Sequence, residues 1–165
     1  SEFGFEGVVI ANNTVDGAAL GISVTNFNEG GRLAVVQGNL IRNLKSKRPA
    51  GTDPGDAAGV GIAVEADAAV SGNVIENAPT AGINLGWGKY LRDVSVVGDA
   101  VRGSGYGVTV SVAQGAGTAV IAGNLIAGSS RGAIVGMDFA KAVTGDLNKE
   151  PTRFAQLQIS GNRVR

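Results

Sequence analysis

Trp87, Lys89, Tyr90, Arg92 and Asp93 stand in one short stretch of the 165-residue chain. Together they offer aromatic faces, two cations, a phenol and a carboxylate. Sugar rings suit such a set, because they stack on aromatic faces and hydrogen-bond through their hydroxyls to polar side chains. Lys89 or Tyr90 as base, with Arg92 neutralising a neighbouring carboxylate, would be the parts of a lyase-like reaction. The competing reading is that Trp87 and Tyr90 cover the core hydrophobically.

Composition narrows the chemistry. The chain has no His, which excludes Ser-His-Asp and Cys-His machinery and imidazole metal sites. It has no Cys, so disulfides, thiolate nucleophiles and the usual zinc cages are excluded as well. Net charge is zero and no basic face is evident, so nucleic acid is not an expected partner. No apolar run approaches the roughly 18 residues of a membrane span. No metal or cofactor site is read from the residues. Gly128-Ser129-Ser130-Arg131-Gly132 matches a nucleophile-elbow pattern but has no histidine base, and Asp53-Pro54-Gly55 lacks the remaining spacing of a calcium loop.

The elements that must position the polar residues come from a repeat. Gly38-Asn39-Leu40-Ile41, Gly72-Asn73-Val74-Ile75 and Gly123-Asn124-Leu125-Ile126 recur, with variants at Asn13, Asp99 and Asn162. The basic period is 25 to 26 residues, lengthened by insertions in the second and fifth repeats, which suits a solenoid coil. Counting from the Asn gives two aliphatic columns: Ile10, Val36, Val70, Val96, Ile121 and Ile159, then Val15, Ile41, Ile75, Val101, Ile126 and Val164. A recurrent Gly starts another strand, with Ile22, Ile62, Ile83, Val108 and Ala133 as its first column and Val24, Val64, Leu85, Val110 and Val135 as its second. Strands send alternate side chains to one face, so these columns predict the interior of an all-β, right-handed parallel β-helix of about six coils, the hand following the rule for parallel crossovers. The Gly-Asn pairs, and a second series at Gly17, Asn43, Asn77, Gly103 and Gly128, are expected at corners with left-handed backbone angles.

Four segments, 25–33, 86–93, 111–118 and 136–156, follow the same strand in their coils. They are therefore expected to leave one corner together and to wall a groove. Trp87, Tyr90, Arg92, Asp93, Asn28, Arg32, Gln114 and Asp138 are the expected ligand-binding residues of that wall, with Asn26, Glu29, Lys141 and Asp146 nearby. The insertion from Lys45 to Asp56 leaves another corner and reads as a surface loop. Leu40, Val74, Ala100 and Leu125, and Val9, Val35, Ala69 and Val120, are expected on the outer faces. These stripes, and a last coil without a visible cap, make self-association plausible.

The coils resemble the pectin-lyase-like β-helix superfamily. More narrowly, Gly72-Asn73 with Ala78-Pro79-Thr80-Ala81-Gly82-Ile83, Gly86-Trp87-Gly88, Tyr90-Leu91-Arg92-Asp93 and Arg131-Gly132-Ala133-Ile134-Val135-Gly136-Met137 resemble a bacterial family of twin-arginine-exported repeat proteins. That resemblance implies a periplasmic or secreted protein with a further N-terminal portion, and it implies no established activity. The Asn-Thr-Asp, Asp-Asp, Gly-His-Gly and Arg-Ile-Lys motifs of polygalacturonases are missing, as is the Asp-Pro-His-Glu of alginate epimerases. Ser1-Glu2-Phe3 reads as a vector-derived scar, and residues 4–165 as one β-helix domain. The expected role is a polysaccharide- or oligosaccharide-interacting module without catalysis. A lyase or epimerase on acidic glycans, and a structural, self-assembling repeat, are the alternatives.

Overall fold

Aliphatic residues that recur once per coil can share an interior only if successive coils stack in register. The computed structural model describes residues 7–27, 33–53 and 55–165 and shows that stacking: a right-handed parallel β-helix of about six coils, built on three six-stranded sheets. The first sheet holds Val8–Ala11, Ala34–Gln37, Ala66–Ser71, Arg92–Val97, Ala119–Ala122 and Leu157–Ser160. The second holds Thr14–Asp16, Leu40–Arg42, Val74–Glu76, Ala100–Arg102, Leu125–Ala127 and Arg163–Val164. The third holds Leu20–Val24, Val60–Val64, Ala81–Leu85, Tyr106–Ser111 and Gly132–Asp138, with Lys141–Asp146 at its edge.

The two Asn-anchored columns stack as the spacing demands. Ile10, Val36, Val70, Val96, Ile121 and Ile159 are successive partners in the first sheet. Val15, Ile41, Ile75, Val101, Ile126 and Val164 are successive partners in the second. Each fully buried aliphatic side chain contributes roughly 1.5–3 kcal/mol before entropy is subtracted, so the columns hold the fold without metal or disulfide.

The third sheet departs from the spacing in its last parallel strand. Ile22, Ile62, Ile83 and Val108 are followed by Ile134, not Ala133, and Val24, Val64, Leu85 and Val110 by Gly136, not Val135. The physical reason lies in the glycine before each Ile. A Cβ on Gly61 would lie 2.7 Å from Ile75 Cγ2, and one on Gly107 2.4 Å from Ile126 Cγ2. That slot accepts only the smallest residues, because the branched column of the second sheet presses into it. Ala133 takes the slot in the fifth coil, and the aliphatic column moves on to Ile134.

Both corner series have the expected backbone. Gly38, Gly72, Gly98, Gly123 and Gly161 have φ between 63° and 71°, and Gly17, Asn43, Asn77, Gly103 and Gly128 between 55° and 73°. The outer stripes do face outward, with Val9 and Val74 exposed and Val35, Leu40, Ala69, Ala100, Val120 and Leu125 half-buried.

The last coil leaves Leu157–Ser160 and Arg163–Val164 as the end strands of the first two sheets, as expected, whereas the third sheet is covered at that end. Lys141–Asp146 folds back antiparallel on Gly132–Asp138 and occupies its open edge. Leu147 then buries itself in the core, and Phe154 packs against it, before the chain enters Leu157–Ser160. Segment 136–156 is thus a hairpin and a return to the core.

Candidate functional site

The corner from the third sheet back to the first is where coils differ most. The second coil turns there in one residue, Glu65, between Val60–Val64 and Ala66–Ser71. So tight a passage leaves Asp67 left-handed at φ 50° and Glu65 only 8% exposed. Asn26, just beyond the first coil's third-sheet strand, meets this turn. The Asn26 backbone N–H donates to Glu65 Oε2 at 2.9 Å, and Asn26 Nδ2 donates to Asp67 Oδ2 at 3.2 Å. From the other side, Arg92 Nη2 donates to the same Asp67 oxygen at 2.6 Å. Asp67 therefore ties three coils together. Burial pushes the Glu65 carboxyl above its ordinary range, against the opposing bond from the Asn26 N–H.

Above that polar cluster stand two aromatic pairs. Gly88–Tyr90 forms a single 3-10 turn, held by Ser111 Oγ, which donates to Gly88 O at 2.7 Å. The turn sets the Tyr90 ring 4.7 Å from that of Phe27, with Lys89 Nζ 5.5 Å from the Tyr90 centroid. Just before it, Trp87 meets Phe139 edge to face at 5.5 Å and 81°. Trp87 is 41% exposed and Phe139 50%, so this pair presents aromatic surface to solvent. Phe139 sits at the hairpin tip at φ 50°, a conformation that costs a side-chain-bearing residue roughly 1–2 kcal/mol. The Phe139 ring also lies over buried Gly88, where an added Cβ would fall 2.5 Å from its Cε1, yet half of its surface stays exposed; a strained backbone at an exposed aromatic points towards function.

The expected wall is thus assembled in part. Trp87, Lys89 and Tyr90 come together, joined by Phe27 and Phe139. Arg92 belongs to the cluster beneath, already engaged by Asp67. Asp93, at φ 49°, accepts a bond from the Thr118 hydroxyl and lines a shallow recess of about 280 Å³ with Ser95 and Val120 on the outer face of the first sheet. Gln114 is exposed on the fourth coil's connection, next to Gly115, where an added Cβ would lie 3.4 Å from Lys89 Cβ. Asp138 is exposed and stands opposite Lys141 across the hairpin. Asp146 is structural, its Oδ1 accepting from the Ile134 and Asn148 N–H groups. Asn28, Glu29 and Arg32 lie outside the described residues.

Sequence reasoning missed Glu65, Asp67, Phe27 and Phe139. The second coil was not seen to turn at this corner, because its large insertion comes one corner earlier. That insertion bounds the larger recess, about 560 Å³, lined by residues including Lys47, Arg48, Asp53, Asp56 and Thr80. Its one part-buried cation, Arg48, is spent internally on Ala57 O at 2.9 Å and Asp56 at 3.5 Å. Among the described residues no cluster of three or more acidic groups is placed to hold a metal ion, and no helix is long and apolar enough to cross a membrane. Comparison with protein-family models, with curated proteins and with solved structures finds no match for this chain, and the geometry of its corner carries the functional reading.

Proposed function

We propose that the corner wall binds a polysaccharide or oligosaccharide without transforming it, with sugar rings stacking on Trp87 and Phe139, hydroxyls meeting Gln114 and Asp138, and hydroxyls or carboxylates meeting Lys89. The observation that carries this reading is the exposed edge-to-face pair, held out by a residue in a costly backbone conformation. A finer placement of the chain in the pectin-lyase-like superfamily, near exported bacterial repeat proteins of the periplasm, accompanies it; the parallel six-coil architecture and the residues from Gly72 to Met137 quoted above support that placement. The alternative of a lyase- or epimerase-like enzyme has less support. Arg92, its carboxylate-neutralising group, is ion-paired to Asp67 at 2.6 Å, which an incoming uronate would have to displace.

The sole tryptophan makes the test direct. Oligosaccharides, neutral and uronate, are titrated into the protein while Trp87 emission and heat are followed. A saturable change, lost in Trp87→Ala, is the expected result. Silence across the whole panel would refute the reading, and product release that depends on Tyr90 or Arg92 would replace it with the enzymatic one.

A further inference from the structure

The corner between the first and second sheets carries a ladder of side chains, one rung per coil. In the interior asparagine rungs, Asn39, Asn73 and Asn124, the amide nitrogen has two duties: it donates onward to Oδ1 of the next coil and back to a strand carbonyl of the previous coil. Asn39 Nδ2 reaches Asn73 Oδ1 at 2.9 Å and Ile10 O at 3.0 Å. Asn73 Nδ2 reaches Asp99 Oδ1 at 2.8 Å and Val36 O at 3.0 Å. Asn124 Nδ2 reaches Asn162 Oδ1 at 2.9 Å and Val96 O at 3.1 Å.

The fourth rung is Asp99, only 1% exposed. Its Oδ1 behaves like every other Oδ1, accepting from the Asn73 N–H at 2.7 Å and from Asn73 Nδ2. Its Oδ2 takes the place of an amide nitrogen, and among the described residues it is a buried side-chain polar atom with no hydrogen-bond partner. The repeat assigns two groups to that place, Val70 O and Asn124 Oδ1, and both are acceptors. A carboxylate oxygen set between two acceptors is repulsive, and a buried orphan acceptor is costly. A proton on Oδ2 turns it into the missing donor.

We infer that Asp99 is a proton-binding rung: as the neutral acid it completes the ladder from the third to the fifth coil, and on losing its proton it loosens the stack at that level. Burial acts in the same direction, holding the carboxyl up at about 6 from an ordinary 3.8, although both Asn73 bonds oppose the rise. The side chains that meet it from the coils on either side, Asn73 and Asn124, are uncharged, as are Val70 and Val96 of the flanking strands. The charged residue closest to it in sequence, Arg102, is exposed on the second sheet, paired in register with Glu76 of the coil before. The sign follows from linkage. The folded state holds this proton more tightly than the unfolded chain, so the contribution of Asp99 to stability is greatest in acid, declines as pH rises from about 4 to about 6, and is level beyond.

Thermal unfolding of the full chain and of Asp99→Asn, followed by circular dichroism across pH 4.5 to 8 in one buffer series, isolates this rung because other carboxylates are common to both. The expected result is that the variant melts several degrees above the natural chain at pH 7.5 and that the gap closes towards pH 4.5. A gap independent of pH, or a variant less stable at pH 7.5, would overturn the inference. Should Asp99→Asn fail to fold, a carbon-13 NMR titration of the Asp99 carboxyl in the natural chain decides the matter: a midpoint near 6 supports it, and one in the ordinary range around 3.8 defeats it.

Discussion

Gly82 of the third sheet lies against Val101 of the second, so closely that a Cβ on Gly82 would fall 2.3 Å from Val101 Cγ1. The interior of the coil is narrow because side chains from facing sheets share the same level, and one slot in each of the first four coils is left to glycine. Gly82→Ala is expected to cost about 1–3 kcal/mol by overpacking. Val101→Ala in the same chain should recover part of that loss, and Gly145→Ala, where nothing lies within 4 Å, should be near neutral. Urea unfolding of Gly82→Ala, Val101→Ala, the double variant and Gly145→Ala forms a double-mutant cycle with a control.

The second-sheet column gives a positional prediction. Ile75 is fully buried at mid-stack, between Ile41 and Val101. Its replacement by Ala should cost about 2–5 kcal/mol. Val164, at the end of the same column and exposed, should lose well under half as much when replaced by Ala. Equal losses in urea titration would contradict the stacked interior.

Asp67 has two distinct tasks, accepting bonds from Asn26 and Arg92 and adopting a left-handed φ. Asn tolerates that conformation and Ala does not. Asp67→Asn should therefore lose only the charge-assisted part of the bonding, about 1 kcal/mol, and Asp67→Ala roughly twice that. Differential calorimetry showing the two variants alike would remove the backbone part of the account.

Phe139 sets stability against binding. Phe139→Gly relieves the left-handed strain while giving up the ring contacts with Trp87 and Gly88, so melting is expected to shift by no more than the equivalent of about 1 kcal/mol. The saccharide-dependent change in Trp87 emission should nevertheless disappear. A variant that melts much lower yet still binds would make Phe139 a packing residue instead.

Glu65 offers a second pH test at the opposite corner. Its carboxyl lies above the ordinary value of 4.5, so its contribution is fully present below that value and declines as pH rises past it. Glu65→Gln keeps an oxygen for the Asn26 N–H and has no charge to bury. It should melt higher than the natural chain at neutral pH, with the difference shrinking in acid.

The spacing of residues in the chain was enough to show the architecture and most of the core. Side-chain alternation has a period of two and the coils repeat at a nearly constant interval, so columns that meet in space are already aligned in the sequence. It also singled out Trp87, Lys89 and Tyr90 as neighbours, because one short turn carries all three. Beyond that, tertiary structure decided. The aliphatic column moved from Ala133 to Ile134 because the interior slot before it has room for a methyl at most. The hairpin at Phe139 was hidden, since Asp138-Phe139-Ala140-Lys141 contains none of the Asn-Gly chemistry by which such turns are recognised.

The cluster of Asn26, Glu65, Asp67 and Arg92 joins residues up to 66 positions apart in the sequence, and only the stacking of coils at one corner brings them together. Asp99 reads along the chain as one more member of the Asn series. Its oxygen acquires meaning only when the rungs before and after it both present acceptors. A periodic sequence announces what repeats, because repetition is itself the geometry of a solenoid. Contacts between unlike coils depend on the stacked surface, which no local pattern encodes.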